Sequence, residues 1–294
     1  MSLSHRHYPV LVTGAAGLLG HALGPRLAAS APGPDALHLT DLAELDVTDP
    51  AAVADAVRAV RPHTVFHLAA WTDVDAAETH PGEARRLNVE AAETVARAAA
   101  QAGALVVHMS TDFVFDGTRP GLYVEDDPLG PQGVYARTKA EAEARVRAAA
   151  RQRHLVVRTA WLYGAGGRDF LDVILSRARA GEPLRVVTDQ VGCPTWSEDL
   201  AAALVAMVEW GARGTLHACG AGEASRWDLA AEALRAAGVD RMPERVTTAD
   251  MPRPARRPAR AVLSTARLAE TVGFRFPPWQ ESVRKYVASM RKRS

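Results

Sequence analysis

Short apolar runs alternate, along the first half of the chain, with longer stretches in which apolar residues recur at helical spacing. Apolar runs of five to seven residues predict buried strands. Strands that alternate with helices favour parallel βαβ units with right-handed connections. The pattern therefore predicts an α/β protein with a Rossmann-type, doubly wound parallel sheet. The predicted strands cover residues 8–13, 36–40, 64–68, 104–109 and 154–160.

Helical patterns separate these strands, and a capping signal marks one of them. Aspartate is a favoured N-cap and proline fits a first helical turn, so a helix is expected to begin near Asp49-Pro50. Other helices are predicted over residues 18–29, 83–101, 169–180, 198–210, 225–237 and 280–292, with short strands at 184–188 and 215–218. Residues 240–262, rich in proline and arginine, predict an irregular segment.

Three glycines, Gly14, Gly17 and Gly20, lie between the first predicted strand and its helix. Glycine gives a tight turn its backbone freedom and leaves room for a diphosphate at the helix N-terminus. The spacing resembles that of the short-chain dehydrogenase/reductase superfamily. This turn predicts a bound NADH or NADPH; the alternative is a glycine turn that only packs helix on strand.

Acidic residues follow the second predicted strand. Asp41 lies where a carboxylate would bind the adenosine ribose and disfavour the 2′-phosphate of NADPH, although a loop or capping role is equally open. Asp46 and Val47 resemble the superfamily's pair that contacts the adenine. The choice between NADH and NADPH stays open.

A tyrosine and a lysine, Tyr135 and Lys139, stand four residues apart, so a helix places them on one face. A neighbouring ammonium group favours the phenolate, which predicts a lowered pKa for Tyr135 and a group able to exchange a proton with a substrate oxygen. Thr111, after the fourth predicted strand, adds a hydroxyl. We expect these three residues to be catalytic. The predicted cofactor-binding residues are Gly14, Gly17, Leu18, Leu19, Gly20, Asp41, Asp46, Val47, Leu68, Ala69, Ala70, Tyr135 and Lys139.

Longer segments resemble the dTDP-4-dehydrorhamnose reductase family in the extended branch of the superfamily. The most specific are STDFVFDG, within residues 106–118, and DQVGCPT, within 184–195. Other matching segments, in family order, cover residues 69–78, 87–93, 134–143, 158–170, 225–230 and 277–286. The resemblance implies transfer of hydride from NAD(P)H to C4 of a dTDP-4-keto-6-deoxy sugar, most directly dTDP-4-dehydrorhamnose. It also assigns Thr111, Tyr135 and Lys139 as the catalytic residues.

The same resemblance implies a substrate site. Trp161 is expected to stack on a thymine ring, with a core position as the alternative. Arg260 and its neighbours Arg253, Arg256 and Arg257 could bind a diphosphate or form a solvated loop. The expected substrate-binding residues are Thr72, Val74, Thr111, Asp112, Phe113, Trp161, Gln190 and Arg260.

Family members commonly carry asparagine at the position of Gly133, tyrosine at that of Phe113 and serine at that of Ala261. These differences leave open which keto sugar is reduced. Two alternatives also remain: a reductase or epimerase of another nucleotide-linked keto sugar, and a non-catalytic dinucleotide-binding regulatory subunit. Thr-Asp-Glu, which a related dehydratase uses to eliminate water, is absent because Phe113 follows Asp112.

Two unequal parts are predicted. Residues 1–160 are expected to form the NAD(P)-binding Rossmann domain. Residues 161–294 are expected to form mainly a smaller C-terminal substrate-binding lobe, with the chain crossing back to the sheet. The active site is expected in the cleft between the two parts.

Composition excludes several other classes. The 294 residues carry a formal net charge of +1, which argues against a nucleic-acid partner. No apolar run approaches the roughly 20 residues that span a bilayer, so no membrane partner is expected. Two cysteines, Cys193 and Cys219, are too few for a disulfide scaffold or a zinc site, and no metal site is predicted. A nucleotide-sugar substrate, a cytoplasmic location and a homodimer are the remaining expectations.

Overall fold

Six parallel strands form the central sheet of the computed structural model, which describes residues 2–291. Within these residues the strands, numbered along the chain, are β1 (Val10–Thr13), β2 (Leu37–Thr40), β3 (Thr64–His67), β4 (Leu105–Thr111), β5 (His154–Thr159), β6 (Leu162–Tyr163), β7 (Arg185–Val187), β8 (Val191–Gly192), β9 (Thr195–Trp196), β10 (Gly214–His217), β11 (Ala224–Ser225), β12 (Glu244–Val246) and β13 (Arg260–Ala261). The sheet order is β10-β5-β4-β3-β1-β2, which confirms the predicted fold class.

The helices of the described residues cover both faces of this sheet and also build a smaller cluster beside it. They are α1 (Leu18–Ala28), α2 (Pro50–Val60), α3 (Val74–Thr79), α4 (Pro81–Arg85), α5 (Ala91–Gln101), α6 (Gly133–Ala150), α7 (Phe170–Arg179), α8 (Ser197–Glu209), α9 (Arg226–Ala237), α10 (Ala266–Val272) and α11 (Trp279–Arg291). The expected cap of α2 is present, because the Asp49 carboxylate accepts hydrogen bonds from the Ala51 and Ala52 amides. Of the last predicted helix, position 292 lies outside the described residues.

The strand order reverses at β1, which has β2 on one side and β3 on the other. Chain segments therefore leave the carboxyl ends of β1 and β3 in opposite directions and open a crevice between them, where ligands of such sheets bind. One face of the sheet packs on α1 and α8 through residues such as Leu23 and Leu204. The other face packs on α2, α5 and α6.

The predicted helix over residues 83–101 is interrupted. After α4, residues Arg86–Glu90 form a wider π-helical turn before α5 begins. The turn carries the buried Asn88, whose Oδ1 accepts from the Trp71 amide at 2.8 Å and whose Nδ2 donates to Thr138 Oγ1 at 3.0 Å. These bonds connect the loop after β3 to α6, and helical spacing alone does not reveal them.

The second half of the chain builds a smaller cluster and also completes the sheet. Its own core lies among α7, α9 and α11, with Leu175, Leu229 and Val283 fully buried. By contrast, β10 pairs with β5, and α8 packs on α1. The segment over residues 240–262 is largely irregular, but it contains β12, which pairs with β7, and β13, which pairs with β8.

No helix within residues 2–291 is both long enough and apolar enough to cross a membrane.

A truncated chain ending at residue 160 tests the predicted domain boundary. We expect it not to unfold cooperatively, because β5 would lose the partner strand β10 and the apolar face of α1 would lose α8. Urea unfolding followed by circular dichroism, with the full chain as control, measures this. A sigmoidal transition in the truncated chain would show that residues 1–160 fold independently.

Candidate active site

A cleft of about 910 Å³ opens at the carboxyl ends of β1, β3, β4 and β5. Nearly all of the residues predicted to bind the cofactor or the substrate line this cleft, from the glycine turn to the helix that carries Tyr135. Gln190 and Arg260 do not. The tertiary structure thus brings together positions that lie as far apart in sequence as Gly14 and Trp161.

The three glycines of the turn differ in what surrounds them. Gly14 has a φ of +73°, and a Cβ there would lie 2.5 Å from the Ala69 backbone nitrogen. A Cβ on Gly20 would lie 2.4 Å from the Ala15 carbonyl oxygen. Gly17 has a φ of −74°, and its Cβ would meet only the Gly14 oxygen at 3.5 Å. Packing within the protein therefore requires Gly14 and Gly20, whereas Gly17 borders the open cleft.

The N-terminus of α1 fits a dinucleotide diphosphate. Gly17 is its N-cap and supplies no side chain to the amides of the first turn, which have no partners within a helix. Leu18, Leu19 and Gly20 of this turn line the cleft. Free amides and the helix dipole together favour an anion at this point.

Asp41 lies at the carboxyl end of β2 and lines the cleft. Its Oδ2 accepts from the Ala16 amide at 2.8 Å, and its Oδ1 accepts from the Leu42 amide at 2.8 Å. The carboxylate thus has a loop role, since it connects the glycine turn to β2, while it remains at the predicted position for the adenosine ribose. Asp46 and Val47 lie beside it, and hydrogen bonds from Thr48 lower the pKa of Asp46.

Thr111, Tyr135 and Lys139 meet at the base of the cleft. Thr111 is the last residue of β4, and the other two project from one face of α6. Thr111 Oγ1 donates to Asp112 Oδ1 at 2.9 Å and accepts from the Phe113 amide at 3.2 Å. The Phe113 ring meets the Tyr135 ring edge-on, with centroids 5.7 Å apart.

The electrostatics of these groups differ from the expectation for Tyr135. Burial raises the pKa of Tyr135 to about 12, against the opposing hydrogen bond of Thr111. The predicted lowering by Lys139 is therefore not found: removal of the phenolate from water raises the pKa, the Asp112 charge adds to the rise, and only the Thr111 hydrogen bond opposes it. Burial lowers the pKa of Lys139 to about 8, against the charge of Glu143. At neutral pH the site holds a protonated phenol beside an ammonium group.

Asp112 is the third titratable group at this point. Its side chain is 2% exposed, and burial raises its pKa to about 7, against the hydrogen bond of Thr111 and the charge of Arg226. The carboxyl group of Asp112 therefore titrates near neutral pH. It also accepts the hydrogen bond that the Thr111 hydroxyl donates.

Trp161 lines the cleft in a strained backbone conformation, with a φ of +47°. The Arg226 guanidinium lies 3.7 Å from the centre of its ring. Gly192 packs against the ring as well, since a Cβ there would lie 2.6 Å from Trp161 Cε2. Arg226 thus covers one face of the ring, and stacking of Trp161 on a thymine ring stays a prediction.

Gln190 and Arg260, which were expected to bind substrate, do not line the cleft. Gln190 Nε2 donates to Thr248 Oγ1 at 3.0 Å, and its side chain borders a separate cavity of about 490 Å³. The Arg260 guanidinium pairs with Glu223, with Nη2 at 2.5 Å from Oε2, and its Nε donates to the Pro120 carbonyl. Partners distant in sequence hold both side chains away from the cleft.

Several cleft residues escape the sequence analysis. Arg226 lies in the family-like segment 225–230 and Arg168 in 158–170, but neither spacing nor periodicity indicates that they face the cleft. The residues that line the cleft without having been predicted include Trp71, Arg86, Thr159, Arg168 and Arg226, whereas Arg257 of the predicted arginine group does line it.

Metal chemistry has no candidate site among residues 2–291, which contain no group of three histidine, cysteine, aspartate or glutamate side chains able to hold an ion. The two cysteines, Cys193 and Cys219, are buried and not disulfide-bonded.

A comparison with known protein families finds one whose model covers nearly the whole chain. The model of the RmlD substrate binding domain family matches residues 8–292. The chain belongs to this family. The resemblance predicted from the sequence segments is thereby confirmed.

Two relatives and one solved structure are similar to this RmlD family member over most of its length. A dTDP-4-dehydrorhamnose reductase of Sinorhizobium fredii is 38% identical over 254 residues, which cover 82% of this chain and 85% of that protein. A probable dTDP-4,6-dihydroxy-2-methyloxan-3-one 4-ketoreductase of Streptomyces antibioticus is 41% identical and covers 94% and 93%. The crystal structure of a dTDP-4-dehydrorhamnose reductase from Bacillus anthracis, in complex with NADP, superposes with a TM-score of 0.90 at 30% identity and covers 98% and 100%.

Gly17→Ala and Gly14→Ala separate ligand binding from folding in this RmlD family member. The Gly17→Ala protein should keep its thermal midpoint but bind the dinucleotide about tenfold more weakly, about 1.4 kcal/mol, because the methyl group enters the space beside the diphosphate. The Gly14→Ala protein should lose more than about 1 kcal/mol of stability, because a methyl group there meets the Ala69 backbone at a positive φ. Fluorescence titration and thermal unfolding measure the two effects. Unchanged dinucleotide affinity in Gly17→Ala would contradict the placement of the diphosphate beside Gly17.

Proposed function

We propose that this chain reduces the C4 keto group of a dTDP-4-keto-6-deoxy sugar with NADPH or NADH, most directly dTDP-4-dehydrorhamnose to dTDP-rhamnose. The observation that carries the proposal is the meeting of Thr111, Tyr135 and Lys139 in the same cleft as the glycine turn. A hydroxyl, a protonated phenol and an ammonium group beside an anion-binding helix terminus suit reduction of a carbonyl. The relatives named above carry the same substrate class in their names.

The glycine turn, Asp41 and the small residues Ala69 and Ala70 would hold the dinucleotide. When bound, its nicotinamide supplies the hydride that adds to C4 of the sugar. Tyr135 gives its phenolic proton to the O4 oxygen, so that a ketone becomes an alcohol and a phenolate remains, to be reprotonated from water. The raised pKa of Tyr135 keeps this proton in place at neutral pH until the oxygen gains charge.

Lys139 and Thr111 assist this transfer. The Lys139 ammonium stabilises the phenolate left on Tyr135 and holds the ribose next to the nicotinamide. Thr111, which donates to Asp112 in this structure, turns its hydroxyl to the O4 oxygen. Thr72, Val74, Asp112 and Phe113 border the same space and contact the sugar.

Arg226 binds the diphosphate of the nucleotide sugar. Its guanidinium is held on the Trp161 ring and lines the cleft, and its pKa, lowered by burial to about 10, leaves it charged at neutral pH. A charged donor fixed in one orientation suits an anionic oxygen. Arg226 is thereby proposed for the role expected of Arg260.

A second candidate is the same reduction on a different dTDP-linked keto sugar. The 41% identity to the probable 4-ketoreductase of Streptomyces antibioticus favours it. Phe113, which offers no hydroxyl where the family resemblance implies tyrosine, is consistent with a changed set of sugar contacts. The cytoplasm as location and a homodimer as assembly remain predictions.

Oxidation of NADH or NADPH by the purified protein tests the function. The substrate, dTDP-4-dehydrorhamnose, is generated in place from dTDP-glucose by the two preceding enzymes. We expect rapid consumption with dTDP-rhamnose as product, and a loss of at least about 100-fold in kcat for Tyr135→Phe, because a positioned acid contributes that much or more. Dinucleotide affinity should be unchanged in this variant. Full activity of Tyr135→Phe would remove Tyr135 as the acid.

Arg226→Ala tests the diphosphate contact. The KM for the nucleotide sugar should rise about 10- to 100-fold, as for the loss of a hydrogen bond to a charged group, with little change in dinucleotide affinity. Arg245→Ala is the matched control, since Arg245 lies 3.8 Å from the centre of the Trp227 ring, away from the cleft. Equal KM values for the two variants would exclude the assigned role.

A further inference from the structure

A buried carboxylate lies one helical turn beyond Lys139. Glu143 of α6 is 0% exposed and faces the sheet rather than solvent. Its position four residues after Lys139 places both side chains on the same side of the helix. A charge at such a site is costly unless it is paired.

Glu143 is fully paired by groups on two adjacent strands. Ser110 Oγ on β4 donates to Glu143 Oε1 at 2.7 Å. Arg158 on β5 donates through Nε to Oε1 at 2.8 Å and through Nη2 to Oε2 at 2.7 Å. Arg147 on α6 adds a bond to Oε2 at 3.1 Å. Burial alone would raise the pKa of Glu143, but these partners lower it and keep the group charged.

These partners adjoin the proposed reaction centre. Ser110 directly precedes Thr111, and Ser110 and Arg158 are paired in register, as are Thr111 and Thr159. One carboxylate therefore joins the last residues of β4 to the helix that presents Tyr135 and Lys139. The relative position of Thr111 and the helical pair depends on this connection.

We propose that Glu143 is a positioning residue, which holds Thr111 through Ser110 and holds Lys139 through one turn of α6 in the geometry that the reduction needs. This inference rests on the proposed function, since it concerns the same site. Glu143 does not touch the cleft, and its effect passes through Ser110 and Lys139.

The charge of Glu143 also acts on Lys139. The other titratable groups around Lys139 on the sheet are His67 on β3 and His108 on β4, whose rings stack with centroids 5.6 Å apart. Burial lowers the pKa of both histidines far enough to keep them neutral. Glu143 therefore supplies the negative charge that opposes the effect of burial on the pKa of Lys139.

Ser110→Ala tests the connection to Thr111 without disturbing the pair between Glu143 and Arg158. We expect kcat to fall at least about tenfold, because small displacements of catalytic groups cost up to about 100-fold, while KM and dinucleotide affinity change less than about twofold. Ser282→Ala is the matched control: Ser282 is also buried and donates to a carboxylate, Asp199, at 2.5 Å, away from the cleft. An unchanged kcat in Ser110→Ala, at the same loss of thermal midpoint as the control, would refute the proposal.

Glu143→Gln tests the charge through a measurement independent of turnover. The chain has three lysines, at positions 139, 285 and 292, so ¹³C-labelled lysine signals can be followed singly by NMR. Loss of the carboxylate charge disfavours the ammonium form, so the pKa of Lys139 should fall from about 8, and Lys285 should not change. If kcat falls at alkaline pH because Lys139 loses its proton, that fall should move to lower pH by the same amount. The half-buried Glu141, which pairs with Arg85, supplies the control Glu141→Gln on the same helix.

The outcomes separate this proposal from the proposed function. Absence of turnover in the unaltered protein counts against the function, whereas the Lys139 titration still reports on Glu143. An unshifted Lys139 signal in a folded Glu143→Gln protein would overturn the charge effect. If that variant does not fold, Ser110→Ala decides.

Discussion

A fully buried carboxylate connects the parts of this molecule on which its chemistry depends. Glu143 accepts hydrogen bonds from Ser110 and Arg158, at the ends of two neighbouring strands, and stands on the helix that carries Tyr135 and Lys139. Removing a charge from water is favourable only when such partners are complete. The position of α6 on the sheet is therefore specified by hydrogen-bond geometry in addition to apolar contact.

The central strands share one design. The strands β1, β3, β4, β5 and β10 each end in a polar residue, at Thr13, His67, Thr111, Thr159 and His217. Because parallel strands end at the same edge, these polar residues gather in one layer below the cleft. Removal of the charged forms from water explains the pKa shifts found there: burial raises the pKa values of Asp112 and Tyr135 and lowers those of Lys139 and the two stacked histidines.

The second half of the chain contributes to the central sheet as well as to its own lobe. It adds β10 to the sheet and α8 to the layer beside α1, and it brings Trp161 and Arg226 to the cleft. The strained backbone of Trp161 turns its ring to Arg226. A contact of this kind joins residues more than sixty positions apart, and each has an ordinary local pattern.

Local patterns in the sequence determined the fold class, the glycine turn and the placement of Tyr135 and Lys139 on one helix face, because strand and helix periodicity and a spacing of four residues are local properties. Only the tertiary structure decided that Gln190 and Arg260 lie outside the cleft and that Arg226 covers Trp161. It alone also determined that the pKa of Tyr135 rises instead of falling. These outcomes depend on burial and on partners distant in the chain. Neither the burial of a residue nor its distant partners can be inferred from the residues next to it in sequence.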